Sequence, residues 1–231
     1  MLTKLFRLIF KTTQRERKIL IKDNLMIDEQ ENLTRACRLL KKTDLNMKDS
    51  CIIDVGAFDG NSSLTFSKIF PDTNILGFEA NPQAYQTAKN NTSKHSKIEL
   101  HHTAISNKNE KMTFYVTSNK VSSSLNKLNH IPTNSADYKK ELDVIEKVEV
   151  EARKLDEFTK NKKVALLKVD TQGHELEVLE GSKQTLMQTR FVLIEMSNHN
   201  IYAQGCKYYE VDEWLRKHNF LLLFHPYETH G

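Results

Sequence analysis

Residues Cys51–Gly60, C-I-I-D-V-G-A-F-D-G, constrain the fold of this chain more than any other stretch. Cys51, Ile52, Ile53 and Val55 form the near-continuous apolar run of a strand buried on both faces, as at the centre of a parallel sheet. Gly56 and Gly60 then permit a tight turn and a close backbone approach to a ligand. Asn61 is placed to cap a helix that starts at Ser62. Asp54 breaks the apolar run. A carboxylate there is costly to desolvate unless donors or a cation meet it, which makes it a candidate for ligand binding.

Downstream, strands and helices alternate. The helix from Ser62 stops before Pro71, a strand spans Asn74–Phe78, and Asn81-Pro82 supplies an N-cap and a first helical residue for the next helix, to about Asn91. Ile98–His102 and Val164–Asp170 read as strands, followed by a helix over His174–Thr189, a strand over Phe191–Glu195, a helix over Tyr208–His218 and a strand over Phe220–Phe224. Period-two alternation at Met112–Thr117 and Val148–Ala152 predicts two extra paired strands, with a polar lid over Ser118–Glu146 between them. This order predicts an α/β, doubly wound, mostly parallel Rossmann-like sheet.

The ends of the chain carry separate expectations. Leu2, Leu5, Phe6, Ile9 and Phe10 around Lys4, Arg7 and Lys11 predict a short basic amphipathic helix, packed on the domain or on a partner chain, with loose membrane-surface contact as the alternative. A second helix, from about Glu29 to Lys42, has Leu33, Ala36, Cys37 and Leu40 on one face. Residues 1–49 are therefore expected to form a helical extension, and residues 50–231 the main domain. Only a short polar tail, His225–Gly231, follows the last strand, too short for a final antiparallel strand, so the expectation is either a truncated chain or a six-stranded sheet with an exposed or partner-covered edge.

Composition narrows the function. The net charge of +4, from 34 basic and 30 acidic side chains, is too small and scattered to imply nucleic acid. Three widely spaced cysteines, Cys37, Cys51 and Cys206, suit a reducing, cytoplasmic compartment without a disulfide framework. No G-x-x-x-x-G-K-[ST] loop and no G-x-S-x-G elbow is present.

In doubly wound sheets the ligand lies outside the carboxyl ends of the strands, which gathers Asp54–Gly60, Glu79, Ala104, Ile105 and Asp170–Gly173. Glu79, at the end of the second strand, suits a ribose diol. Asp54 and Asp59 would oppose a pyrophosphate, whereas a cationic cofactor with an amino-acid tail, such as S-adenosylmethionine, tolerates them.

Three stretches, I-D-V-G-A-F-D-G-N-S-S at 53–63, G-F-E-A-N-P at 77–82 and L-L-K-V-D-T-Q-G-H-E-L-E-V-L-E-G at 166–181, resemble the FkbM-type S-adenosylmethionine-dependent methyltransferases. S-S-S-L at 122–125 and V-E-V-E-A-R-K-L-D-E-F at 148–158 extend the resemblance over roughly residues 50–224. It implies that Asp54, Gly56, Ala57 and Gly60, with Phe58 and Asp59 of the same turn, hold the methionine end of the cofactor. Glu79 would hold the ribose, Ala80 and Asn81 would lie beside the adenine, and Ala104 and Ile105 would meet its edge. Asp170 would stand near the sulfonium and the acceptor. The resemblance further implies O-methylation, on a saccharide or other small polar hydroxyl acceptor.

A hydroxyl attacks a sulfonium methyl better when a base takes its proton. Asp170 is the first candidate, with His174 and His199 behind it, while Ser123, Ser124 and Glu195 are candidates for orienting the acceptor. No resident metal is expected. The competing variants are a divalent cation held by Asp170, Glu195 and Asn198, and a methyltransferase-like binding or assembly subunit without activity.

Overall fold

The computed structural model describes residues 5–10, 29–129, 143–196 and 202–224. Strand β2 (Ser50–Val55) is buried along its whole length, as its apolar run requires. It pairs in parallel with β3 (Asn74–Glu79) on one side and β8 (Lys163–Val169) on the other. Beyond them β3 pairs in parallel with β4 (Ile98–His102), and β8 with β9 (Thr189–Met196). Strand β1 (Leu5–Phe10) lies antiparallel between β9 and β10 (Leu221–Phe224), which completes the order β10-β1-β9-β8-β2-β3-β4. The predicted doubly wound, mostly parallel sheet is present.

Successive residues of a strand point to opposite faces, and this sorts the core into two layers. Ile52, Leu166, Phe191 and Leu193 pack with Leu33, Ala36, Leu40 and Phe66, from α1 (Glu29–Lys41) and α2 (Asn61–Ile69). Their neighbours Ile53, Leu167, Val192 and Ile194 pack on the other face, against Val178, Leu186, Val211 and Leu215. Those partners belong to the helical segments α4 (Glu175–Glu180), α5 (Lys183–Met187) and α6 (Tyr208–Lys217). Between β3 and β4, α3 (Pro82–Thr92) starts as its sequence predicts, with the Asn81 side chain accepting from the amides of Gln83 and Ala84.

Several expectations are corrected. The basic amphipathic helix expected over residues 1–11 is not what residues 5–10 form; they are strand β1, and residues 1–4 and 11 lie outside the described residues. A six-residue stretch rich in apolar side chains fits either period, and the pairing available between β9 and β10 decides the outcome. The antiparallel position expected to be empty beside β9 is thus filled by residues 5–10, and among the described residues the sheet has seven strands. Of the described residues before position 50, 5–10 pair in the sheet as β1 and α1 packs in its core. The single helix expected over His174–Thr189 is two short ones broken at Gly181, where a Cβ would stand 2.0 Å from the Ser106 carbonyl oxygen. Finally, Gly60 rather than Asn61 holds the N-cap position of α2, and the Asn61 amide donates to Asp59.

The two extra strands pair as expected, in a separate sheet of β5 (Ala104–Ile105), β7 (Val144–Arg153) and β6 (Glu110–Thr117), in that order. The first part of the presumed lid, residues 118–129, doubles back on β6: Tyr115 and Ser124 exchange backbone hydrogen bonds of 2.8 and 3.1 Å. Residues 130–142 lie outside the described residues, as do Asn198 and His199, while residues 144–146, expected to end the lid, belong to β7.

Candidate active site

At the carboxyl ends of β2, β3 and β8 the chain encloses a cavity of about 620 Å³, a size that suits a small-molecule ligand. Gly56, Ala57, Phe58, Asp59, Glu79, Ala80, Asn81, Ala104, Ile105, Ser123, Asp170 and His174 all line it. The topology therefore brings together most of the residues singled out from sequence. Asp54, Gly60, Ser124 and Glu195 stand outside the lining, each for a structural reason.

Asp54 is completely buried behind the turn. Its register partner across β2 and β8 is Lys168, whose ammonium lies 3.0 Å from one carboxylate oxygen and 3.1 Å from the Gly56 carbonyl oxygen. The other carboxylate oxygen accepts from the hydroxyls of Ser62 and Ser63, the latter at 2.7 Å. An acid so compensated does not present net negative charge to a ligand. Asp54, expected to meet the methionine end, does not line the cavity, and of the two turn acids only Asp59 does. Lys168, which lines the cavity, had no role assigned from sequence because its partner lies 114 residues away.

The turn itself is tightly specified. Gly56 has φ +77°, and a Cβ there would fall 1.9 Å from the Asp170 carbonyl oxygen, so only glycine lets β2 and β8 end side by side. Gly60, in the left-handed region, caps α2. Phe58 also sits in the left-handed region, at φ +50°. Such strain persists only where the surroundings over-determine it, and here the Phe58 amide donates to Glu79 at 2.7 Å.

Glu79 is 7% exposed, and its second oxygen accepts from the Asn81 amide at 2.7 Å. Burial pushes its carboxyl up to about 7, against the opposing pull of those two amides. Two lone pairs per oxygen leave it able to accept further hydrogen bonds from a diol. Asn81 is 2% exposed. Its Oδ1 is committed to the helix cap, while its Nδ2 meets no acceptor among the described residues.

On the opposite wall the turn after β8 is organised by Gln172 and Glu175, which sequence reasoning left without roles. Gln172 has φ +57°. Its amide nitrogen donates to Asp170 at 2.7 Å and to Glu195 at 2.6 Å, and its oxygen accepts from the Tyr202 hydroxyl at 2.9 Å. Glu175 accepts from the amides of Thr171 and Gly173. Asp170 is thereby held at the cavity wall, and Lys168 stands 3.9 Å from it. Glu195 is drawn away from the lining toward Gln172. The Gln172 amide nitrogen bridges Asp170 and Glu195, and Asn198, the third ligand of the metal alternative, lies outside the described residues. Among the described residues no three His, Cys, Asp or Glu side chains cluster as a metal site.

His174 is the buried N-cap residue of α4. Its Nε2 lies 3.0 Å from the Ser106 hydroxyl, and burial lowers its pKa to about 4. Burial and the Ser106 contact hold this imidazole neutral near pH 7. The two serines diverge. Ser123 accepts from the Thr117 amide at the cavity wall, whereas the Ser124 hydroxyl is spent on the Gln172 carbonyl at 2.8 Å.

Tyr202 joins this wall to the loop over it, since its hydroxyl also approaches the Ser122 carbonyl at 3.1 Å. Tyr202→Phe leaves the Gln172 oxygen without that donor, and denaturant unfolding should show a loss of about 1–2 kcal/mol. An unchanged unfolding midpoint would show that the hydroxyl anchors nothing.

The methyltransferase FkbM domain family matches residues 54–222. The 2-O-methyltransferase NoeI of Sinorhizobium fredii is 25% identical over 204 residues, covering 79% of this chain and 82% of that protein. Methyltransferase 1 of Beauveria bassiana is 28% identical over 145 residues, 58% of each. Among solved structures, a methyltransferase FkbM from Methylobacillus flagellatus aligns over 74% of this chain and 44% of its own, with 13% identity and a TM-score of 0.40. A precorrin-6y C5,15-methyltransferase from Geobacter metallireducens aligns over 76% and 62%, with 16% identity and a TM-score of 0.37.

Proposed function

We propose, for a chain that belongs to the FkbM methyltransferase family, that the cavity binds S-adenosylmethionine and that the enzyme methylates a hydroxyl oxygen on a saccharide or other small polar acceptor. The observation that carries this reading is the continuity of one cavity from Glu79 and Asn81, at the end of β3, to Asp170, at the end of β8. The residues present fit the cofactor. A buried carboxylate with spare acceptor capacity stands beside a buried amide donor, matching a ribose diol next to a purine.

When bound, S-adenosylmethionine supplies an electrophilic methyl group. Glu79 binds the ribose and thereby orients the cofactor along the cavity. Ala57, Ala80, Ala104 and Ile105 give the adenine apolar walls. Asp170, fixed by Gln172, accepts the proton of the acceptor hydroxyl at its carboxylate while that oxygen is aligned for in-line attack. Ser123 and the loop around it, joined to the site through Ser124 and Tyr202, exclude water and orient the acceptor. The relative NoeI, a 2-O-methyltransferase by name, supports oxygen as the acceptor atom.

The test has two stages. Calorimetry should show binding of S-adenosylmethionine, and no heat at millimolar cofactor would overturn the reading. A mass-spectrometric screen of glycan, lipid and peptide acceptors should then find methyl gain on oxygen. Products methylated only on nitrogen would overturn the O-methylation assignment.

A further inference from the structure

The cavity does not end at Asp170. Asn61, Leu64, Thr65 and Lys68 also line it, and their spacing of i, i+3, i+4 and i+7 places them on one face of α2. With them stand Leu33 of α1 and Leu193 of β9. Leu193 is the register partner of Lys168, and the Ser62 hydroxyl at the start of α2 donates to Asp54, the carboxylate that Lys168 holds. This arm therefore opens off the side of the site formed by Lys168 and Asp170, not the end assigned to the ribose. At the rise of an α-helix, Lys68 lies about 10 Å along α2 from Asn61.

Leu64 and Lys68 line a second, open cleft as well, of about 550 Å³, together with Lys94, His95 and Lys97. Among the described residues no Asp or Glu lines that cleft. The acids nearest in sequence are engaged elsewhere: Asp72 with Lys48 at 3.3 Å, Glu99 with His101 at 3.3 Å, and Asp59 with the backbone and side-chain amides of Asn61. Lys68, Lys94 and Lys97 are exposed and meet no carboxylate among the described residues. A cationic surface without acids draws in anions, and lysine ammoniums bind phosphate as point charges. In the arm itself, Leu33, Leu64 and Leu193 suit the carbon face of a sugar ring, and Asn61 and Thr65 can bond its hydroxyls.

We propose that the arm along α2 is the acceptor subsite and that the acceptor is a saccharide carrying a phosphate or diphosphate group. Its reacting hydroxyl lies at Asp170, and its phosphate is held by Lys68 at the junction of the two hollows, with Lys94 and Lys97 beyond. The inference rests on the methyl-transfer reading above and adds to it the charge class of the acceptor.

Pyrophosphate, titrated by calorimetry into protein saturated with S-adenosylhomocysteine, tests the anion site. Wild type should bind it, more weakly as salt is added. The combined Lys68→Gln, Lys94→Gln and Lys97→Gln variant should bind it at least about tenfold more weakly, while melting within about a degree of wild type, since all three side chains are exposed. For the acceptor that the mass-spectrometric screen identifies, Lys68→Gln should raise KM at least about tenfold and change kcat less than about twofold, as loss of uniform binding does. Pyrophosphate should compete with that acceptor and not with S-adenosylhomocysteine.

Equal pyrophosphate affinity in wild type and the combined variant, displacement of S-adenosylhomocysteine by pyrophosphate, or an acceptor without an anionic group would each overturn the proposal and leave the cofactor reading intact. Wild type that binds neither S-adenosylmethionine nor S-adenosylhomocysteine would instead remove that reading, on which the proposal stands.

Discussion

Lys168→Met should unfold with about 3–5 kcal/mol less stability than the native chain, the largest loss expected of any single substitution around the site. The reason is what the variant leaves behind. Asp54 has no solvent exposure, and the Lys168 ammonium at 3.0 Å is its cation. The hydroxyls of Ser62 and Ser63 would still donate, but a buried carboxylate held by two neutral donors is far costlier than one held by a cation. The same ammonium ties down the Gly56 carbonyl oxygen, so the turn that lines the cavity should loosen as well. For a domain of this size the loss corresponds to a melting temperature lower by roughly 10 °C. Asp54→Asn combined with Lys168→Met should recover much of the loss, because the amide oxygen still accepts from the serines and no buried charge remains. A single variant melting within about a degree of wild type would contradict the pairing.

Glu79→Gln should weaken S-adenosylhomocysteine binding by about 100-fold or more, equivalent to about 2.7 kcal/mol. Two backbone amides, from Phe58 and Asn81, donate to separate oxygens of this carboxylate. An amide there must set its own N–H groups against one of those donors, and the left-handed Phe58 loses the contact that holds it. The pH dependence gives the sign of the effect. Burial raises the Glu79 pKa to about 7, so the acceptor form that both amides and a ribose diol require is lost as pH falls through about 7. Stability runs the other way. A carboxyl raised above its unfolded value contributes stability fully present below about 4.5 and lost as pH rises through about 7. Wild type should thus bind more weakly but melt higher at about pH 6 than at about pH 8, and the variant should lose the inflection in affinity near 7. His174, with its pKa lowered to about 4, stays neutral in the folded protein across this window and adds no inflection in affinity, but its unfolded imidazole takes up a proton below about 6.5 and so offsets part of the Glu79 gain in melting temperature at about pH 6. A flat wild-type affinity from about pH 6 to about pH 8 would rule out Glu79 as the ionised acceptor.

Much of this architecture is legible without coordinates because its signals are local. The apolar run of β2, the Asn81-Pro82 start of α3 and the acid at the end of β3 each declare themselves within a few residues. Strand-to-helix alternation then fixes which ends of the strands face a ligand, and so where Glu79, Ala104 and Asp170 must gather. The helix expected at residues 1–11 failed for the complementary reason. Its competing period is weak, and the pairing that decides it joins residues 5–10 to residues 191–196 and 221–224, at the far end of the chain.

The site divides along the same line. Sequence by itself determined the strand order's logic, the turn chemistry and the identity of the buried acids, because these follow from residue type and short-range spacing. Only the tertiary structure decided what each acid does. Asp54 meets its cation through the register of two strands, and Glu195 is turned toward Gln172. Glu79, gripped by the Phe58 and Asn81 amides, lines the cavity. Desolvation and Coulomb attraction act between side chains brought close in space, and the separation that makes Asp54 and Lys168 a pair, 114 residues along the chain, leaves no local pattern.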